Sequence, residues 1–250
     1  MFYFDDFYGK KVLKSDFLTE YDCFISSRGF VLTPGALTNL ENEACENRRF
    51  LKEKLGCNEI ITASQVHGNN IEIVKENKTF YENTDALISN IPNTVMLLNF
   101  ADCVPVILYS KKDNAGALIH AGRRGAALNI SSLTAEKMIK ELNIKPENIT
   151  ALIGPAIGKC CYEIDEEVFE NTIQNLSFEE LQKADFYEKK GSKYFIDLKL
   201  LNYKQLAAQG IINIDMCSYC TACMSDIFYS YRKEKGLTAR HSAVLKIKGG

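Results

Sequence analysis

Residues 97–125 read LLNFADCVPVILYSKKDNAGALIHAGRRG. Two apolar runs flank the polar turn SKKDN, the pattern of a β-hairpin buried on both faces. Three residues interrupt it. Asp102 and Cys103 stand where the first run should be continuous, and His120 closes the second. A turn centred between Lys111 and Lys112 sets Cys103 directly opposite His120, with Cβ atoms about 4.5–5.5 Å apart on one face. Asp102 then points to the other face.

Outward from the hairpin, strand-like runs occur at 23–26, 59–66, 70–74, 85–89, 94–100, 149–154, 212–217 and 241–247. Helical periodicity covers 39–55, with Ala44, Arg48, Leu51 and Leu55 on one face and Gly56 as a stop, then 128–142, 165–174 and 198–209. Most strands in the middle of the chain follow one another directly. This order predicts an α/β (α+β) fold, a single domain over residues 1–250 of mixed, largely antiparallel sheets flanked by helices. No Pro/Gly/Ser-rich linker or internal repeat divides it.

The 250 residues are 46% hydrophobic and 25% charged, with a net charge of −2. No basic run suits a nucleic-acid backbone. No apolar run approaches the roughly 18 residues of a membrane span, and the start MFYFDDFYGKK lacks the layout of a signal peptide. A cytoplasmic protein is expected, its nine cysteines reduced. Only three histidines are present, His67, His120 and His241.

His67, in ASQVHGNN, ends another strand-like run. With Cys103 and His120 it makes a two-histidine, one-cysteine set, which on zinc leaves one coordination position open, the arrangement of a catalytic ion. Spacing alone leaves a second reading standing: Cys103 as a small core residue and the histidines as structural groups.

SQVHG, ADCVPVIL, IHAGRRG, IGPAIGKCCYEID and CTACMSDIFYSYRKEKGLTAR, with SSRGF and ENRR upstream, fall in the order and spacing of the laccase-domain family. Its members are also called multicopper polyphenol oxidase-like proteins and purine nucleoside phosphorylases. The resemblance implies a single α/β domain and the metal ligands His67, Cys103 and His120. It implies phosphorolysis of adenosine, inosine, guanosine and methylthioadenosine to base and ribose 1-phosphate, with adenosine deamination alongside. Three histidines cannot hold the copper cluster of a true multicopper laccase, so one zinc ion per chain is expected and copper is disfavoured. The partners are then a purine nucleoside and phosphate, bound by a monomer or homodimer.

Around the metal set, Asp102 is a candidate for orienting a ligand histidine or shuttling a proton, and a structural hydrogen bond is the alternative. Cys103 is the nucleophile if the chain is instead a hydrolase, as in relatives associated with editing peptidoglycan precursors. Candidate substrate or phosphate contacts are Arg28, Arg48, Gln65, Arg124 and Arg240. For Arg48, on the apolar face of its helix, a structural ion pair competes with a phosphate role. Asp85, in TDALIS, receives no role. Cys217, Cys220 and Cys223 form C-x2-C-x2-C with no fourth cysteine after them; they read as buried thiols, and Cys160 and Cys161 as structural. Three departures from the family pattern bear on substrate choice: Arg123 where tryptophan is usual, GFVLT after Arg28, and Ala239 where glycine is usual. A metal-binding or partner-binding module without chemistry is the remaining reading.

Overall fold

The computed structural model describes residues 1–19, 23–34, 39–176, 185–236 and 238–249. Its framework is two large β-sheets packed face to face, with helices outside.

In the first sheet, β1 (Phe2–Phe7), β2 (Lys10–Ser15) and β3 (Cys23–Ser26) form an antiparallel meander. β4 (Ile60–Ala63) runs parallel to β8 (Val95–Phe100) and to β6 (Phe80–Tyr81). The last strand of the chain, β16 (His241–Lys246), lies between β3 and β8 and joins the two halves. The second sheet has the order β15-β11-β9-β10-β7-β5. It comprises β5 (Ile71–Ile73), β7 (Ala86–Ser89), β9 (Val104–Ser110), β10 (Ala115–Ala121), β11 (Ile149–Ile153) and β15 (Asn213–Met216). A small third sheet is made of β12 (Glu163–Ile164), β13 (Tyr187–Lys190) and β14 (Lys193–Ile196). Pairing is antiparallel except β4 with β6 and β8, β5 with β7, and β11 with β15.

Strand alternation explains the layering. Met96, Leu98, Ala243 and Leu245 of the first sheet meet Ile107, Tyr109, Leu118 and Leu152 of the second in the inter-sheet core. Alternate residues of the second sheet, among them Val106, Leu108, Ala117 and Ile119, pack under α3 (Ile130–Glu141) and α5 (Leu198–Ala208). Leu97, Val95 and Val244 turn the other way, toward Leu51 and Leu55 of α1 (Glu41–Leu55). Strands covered on both faces need no polar side, which is why β8, β9 and β10 read as continuous apolar runs. Replacing one of these leucines with alanine costs about 2–5 kcal/mol.

α1 ends at Gly56, as expected. Asp165 caps α4 (Glu166–Ile173) by accepting the Val168 N–H at 3.0 Å, and Asp197 caps α5 by accepting the Leu200 N–H at 3.1 Å. The mixed, mostly antiparallel single-domain fold is the one expected. β1, β2, β6, the third sheet and the short α2 (Arg123–Ala127) were not anticipated.

The hairpin register is also different. His120 pairs with Pro105 and Ala121 with Val104, so Cys103, one residue ahead of β9, comes opposite Gly122 rather than His120. The cause is the turn. The Ser110 hydroxyl donates to Asp113 Oδ2 at 2.5 Å and accepts the Asp113 N–H, closing a four-residue loop one position later than expected.

Candidate metal centre and its cavity

Despite the shifted register, one donor atom from each of His67, Cys103 and His120 lies within 4.8 Å of the others. His67 follows β4 in a left-handed conformation, φ +62°. His120 is buried near the end of β10, its ring edge-on to His67 with centroids 4.7 Å apart. Gly122 makes this convergence sterically feasible. A Cβ there would sit 2.9 Å from His67 Cδ2 and 3.2 Å from Cys103 Sγ, so a side chain would crowd both.

The organiser is Asp85, fully buried just before β7. Its Oδ1 lies 2.8 Å from His120 Nδ1 and accepts the His67 N–H at 3.0 Å, while Oδ2 accepts the Gly68 N–H at 2.8 Å. Burial raises its carboxyl, but the His120 hydrogen bond and charge and the two amides outweigh burial and hold it below the usual carboxylate range. A carboxylate only accepts, so it keeps the proton on His120 Nδ1 and leaves Nε2 for the site. Burial pushes the Cys103 thiol up, yet the His120 charge and hydrogen bonds from both histidines bring it down to about 6. Burial pulls His120 down, yet the Cys103 thiolate and Asp85 carry it up to about 9. A soft thiolate and two imidazoles at this spacing suit one tetrahedral ion with an open position.

The centre opens into a cavity of about 940 Å³. Arg123, Arg124, Arg232 and Arg240 line it, and among the described residues Asp102 is the only carboxylate in the lining. Arg124 Nη2 donates to Val66 O at 2.9 Å, holding the guanidinium beside His67. Arg240 Nη1 donates to the carbonyls of Thr238 and Ala239. The Arg232 guanidinium donates to Glu163 O and lies 5.2 Å over the Tyr162 ring, itself part of the wall.

The other expected residues are placed as follows. Asp102 sits at φ +86°, its Oδ1 accepting the Thr221 hydroxyl at 2.6 Å and its Oδ2 the Arg232 N–H at 2.7 Å. The carboxylate against His120 is therefore Asp85, while Asp102 bonds the Thr221 hydroxyl and the Arg232 N–H at the cavity wall. Gln65 lines the cavity, with its amide paired to the Asn99 backbone at 2.8 and 2.9 Å. Arg48 lies outside the lining. It donates to Leu32 O and to Thr33 Oγ1 and has no carboxylate on it among the described residues. Arg28 is also outside, paired with Glu234 and stacked 4.2 Å over Tyr229. His241, the third histidine, is packed between Phe100 and Phe228. Neither ring nitrogen has a hydrogen-bond partner among the described residues, and burial drops it to about 3.

Of the three cysteines expected to be buried, Cys217 and Cys220 are, and Cys223 is exposed; Cys160 is exposed and Cys161 half-buried. Cys160, Cys161, Cys220 and Cys223 converge, their sulfurs within 4.8 Å of one another. Two of the four, Cys160 and Cys161, lie upstream in sequence, and Cys217 is not among them.

A profile of the multi-copper polyphenol oxidoreductase laccase family matches residues 37–248. The chain belongs to that family. Similar family members include the purine nucleoside phosphorylase YlmD of Geobacillus stearothermophilus, 32% identical over 216 residues, covering 81% of this chain and 78% of the relative. A purine nucleoside phosphorylase of Clostridium acetobutylicum is 32% identical over 232 residues, covering 90% and 93%. The crystal structure of the hypothetical protein YfiH from Bacillus licheniformis superposes with a TM-score of 0.87 at 28% identity, covering 98% of this chain and 99% of that one. The family description speaks of several copper ions. With three histidines in the chain, one of them enclosed by phenylalanines, the donor set at this centre fits one ion.

Proposed function

We propose that this family member is a zinc-dependent purine nucleoside phosphorylase whose ion is held by His67, Cys103 and His120. The observation that carries the reading is the convergence of a three-donor site and four arginines on one cavity. Its volume lies within the range of small-molecule sites. An arginine-rich wall with one carboxylate, already hydrogen-bonded, attracts an anion of phosphate's geometry.

Zinc bound there would supply Lewis acidity that polarises or orients a ligand oxygen. The remaining work falls to the chain's own side chains. Arg123, Arg124, Arg232 and Arg240 hold phosphate and balance charge as the glycosidic bond breaks. Tyr162 and Tyr231 offer apolar faces for the purine. Asp85 keeps the imidazole of His120 in one tautomer throughout, and Asp102 fixes the loops that carry Thr221 and Arg232. The same open site would serve adenosine deamination as a companion reaction. Reduced thiols and small polar substrates suit action in the cytoplasm, as a monomer or homodimer.

The test is purine-base release from inosine by zinc-loaded protein, with and without phosphate, beside Cys103→Ala. Release needing both phosphate and Cys103 is the expected outcome. Phosphate-independent release would make the enzyme a hydrolase, and no release with zinc bound would remove the purine assignment.

One observation favours a second reading. Asp85, His120 and Cys103 form a carboxylate–imidazole–thiolate relay, the arrangement that activates a cysteine nucleophile. A hydrolase of that kind survives strong chelation and dies on alkylation of Cys103, whereas the zinc enzyme loses activity with the chelator.

A further inference from the structure

Two stretches far apart in sequence, GKCC at 158–161 and CTAC at 220–223, meet beyond the cavity wall. Cys161 Sγ lies 3.4 Å from Cys223 Sγ and Cys160 Sγ 3.7 Å from it. With Cys220 Sγ, the four sulfurs fall within 4.8 Å of one another. A disulfide brings two sulfurs to about 2.05 Å, far closer than any of these. Four sulfurs at about 2.3 Å from a central zinc ion lie about 3.8 Å apart along the tetrahedron's edges. The separations from Cys223 sit near that edge. An iron–sulfur cluster spreads its cysteines around several metal ions, and this group is too compact for one.

The backbone ties the two stretches together and favours a thiolate at Cys220. Gly158 N–H points at Cys220 Sγ, 3.2 Å away, a hydrogen bond that favours the ionised sulfur. Thr221 N–H donates to Ala156 O at 3.0 Å, tying the two stretches together, and Cys161 N–H donates to Gly158 O at 2.9 Å to shape the first. Arg232, donating to Cys161 O at 3.4 Å, brings a positive charge toward the group.

We propose that Cys160, Cys161, Cys220 and Cys223 bind a second zinc ion in a closed, all-thiolate tetrahedral site, separate from the His67–Cys103–His120 centre. Four protein donors leave no open position, so the ion is structural. On binding, the thiols release their protons to solvent as zinc–sulfur bonds form. The ion clamps the 156–163 segment to the 217–224 segment. These segments carry Ile157 and Tyr162 on the cavity wall and Thr221 on Asp102. The second site therefore braces the first without touching substrate.

Metal analysis of protein purified under reducing conditions should find about two zinc ions per chain, and about one in Cys223→Ser. The His67→Ala/Cys103→Ala double variant should retain about one and, loaded with cobalt(II), show the absorption of a four-sulfur tetrahedral ion. X-ray absorption at the zinc edge of this variant should fit four sulfurs and no nitrogen. Should Cys223→Ser not fold, the double variant still decides the matter. A folded double variant with neither zinc nor a cobalt–thiolate spectrum would overturn the proposal. So would a Cys161–Cys223 disulfide in peptide maps of wild-type protein holding a single zinc, or stoichiometric iron at the four sulfurs.

Discussion

Asp85 Oδ1 lies 2.8 Å from His120 Nδ1 and accepts the backbone N–H of His67, so one buried carboxylate positions both histidines of the candidate metal centre. Asp85→Asn keeps the shape and removes the charge. Its amide can donate to Nδ1, placing the imidazole proton on Nε2, where a ligand lone pair is needed. Zinc affinity should fall about 10–100-fold, with a stability loss of about 1–3 kcal/mol from the weakened amide contacts. Competition with a chromogenic chelator and thermal melts read both.

Gly122→Ala places a methyl group 2.9 Å from His67 Cδ2 and 3.2 Å from Cys103 Sγ. Overpacking of this kind costs about 1–3 kcal/mol, and the two ligands are what must move. Metal content and activity should drop together while the protein remains folded. Undiminished zinc affinity would show that the centre tolerates more slack than its geometry suggests.

Zinc binding should release protons in a pattern set by Cys103, at about 6, and His120, at about 9. Between these values Cys103 is ionised and His120 carries a second proton, on Nε2, which binding displaces while Nδ1 keeps its own, so about one is released. Below about 6 Cys103 is also protonated and release rises toward about two; above about 9 it falls toward zero. Affinity therefore weakens as pH falls. Calorimetry in buffers of different ionisation enthalpy counts the protons.

Arg124 and Arg28 should behave oppositely. Arg124→Ala removes a cavity guanidinium, so KM for phosphate should rise about 10–100-fold, the equivalent of a charge-assisted hydrogen bond, with metal content unchanged. Arg28→Ala leaves Glu234 without its ion-pair partner outside the cavity lining and uncovers Tyr229. It should cost about 1–3 kcal/mol of stability and leave KM for phosphate near its starting value.

Strands buried on both faces announce themselves as apolar runs, so β8, β9, β10 and β16 were legible from the chain. So was the grouping of His67, Cys103 and His120. The register of the central hairpin was not, because a Ser110–Asp113 side-chain bond, rather than hydrophobic pattern, sets the loop. Asp85 escaped for a related reason. Its four residues of context look like any strand start, and its function exists only once β7 lies beside β10 and the segment after β4. The cysteine cluster joins positions 63 residues apart, Cys160 and Cys223, and no local spacing rule spans that distance. Arg232 was visible within YSYRKEKG, yet its partner carbonyls belong to another loop.

The insertion of β16 between β3 and β8 has a consequence for synthesis. While the ribosome is still making the chain, β3 and β8 exist for more than a hundred residues with nothing to bridge them, each an open edge able to recruit a neighbouring nascent chain. The two halves of the first sheet cannot join until residues 241–246 emerge.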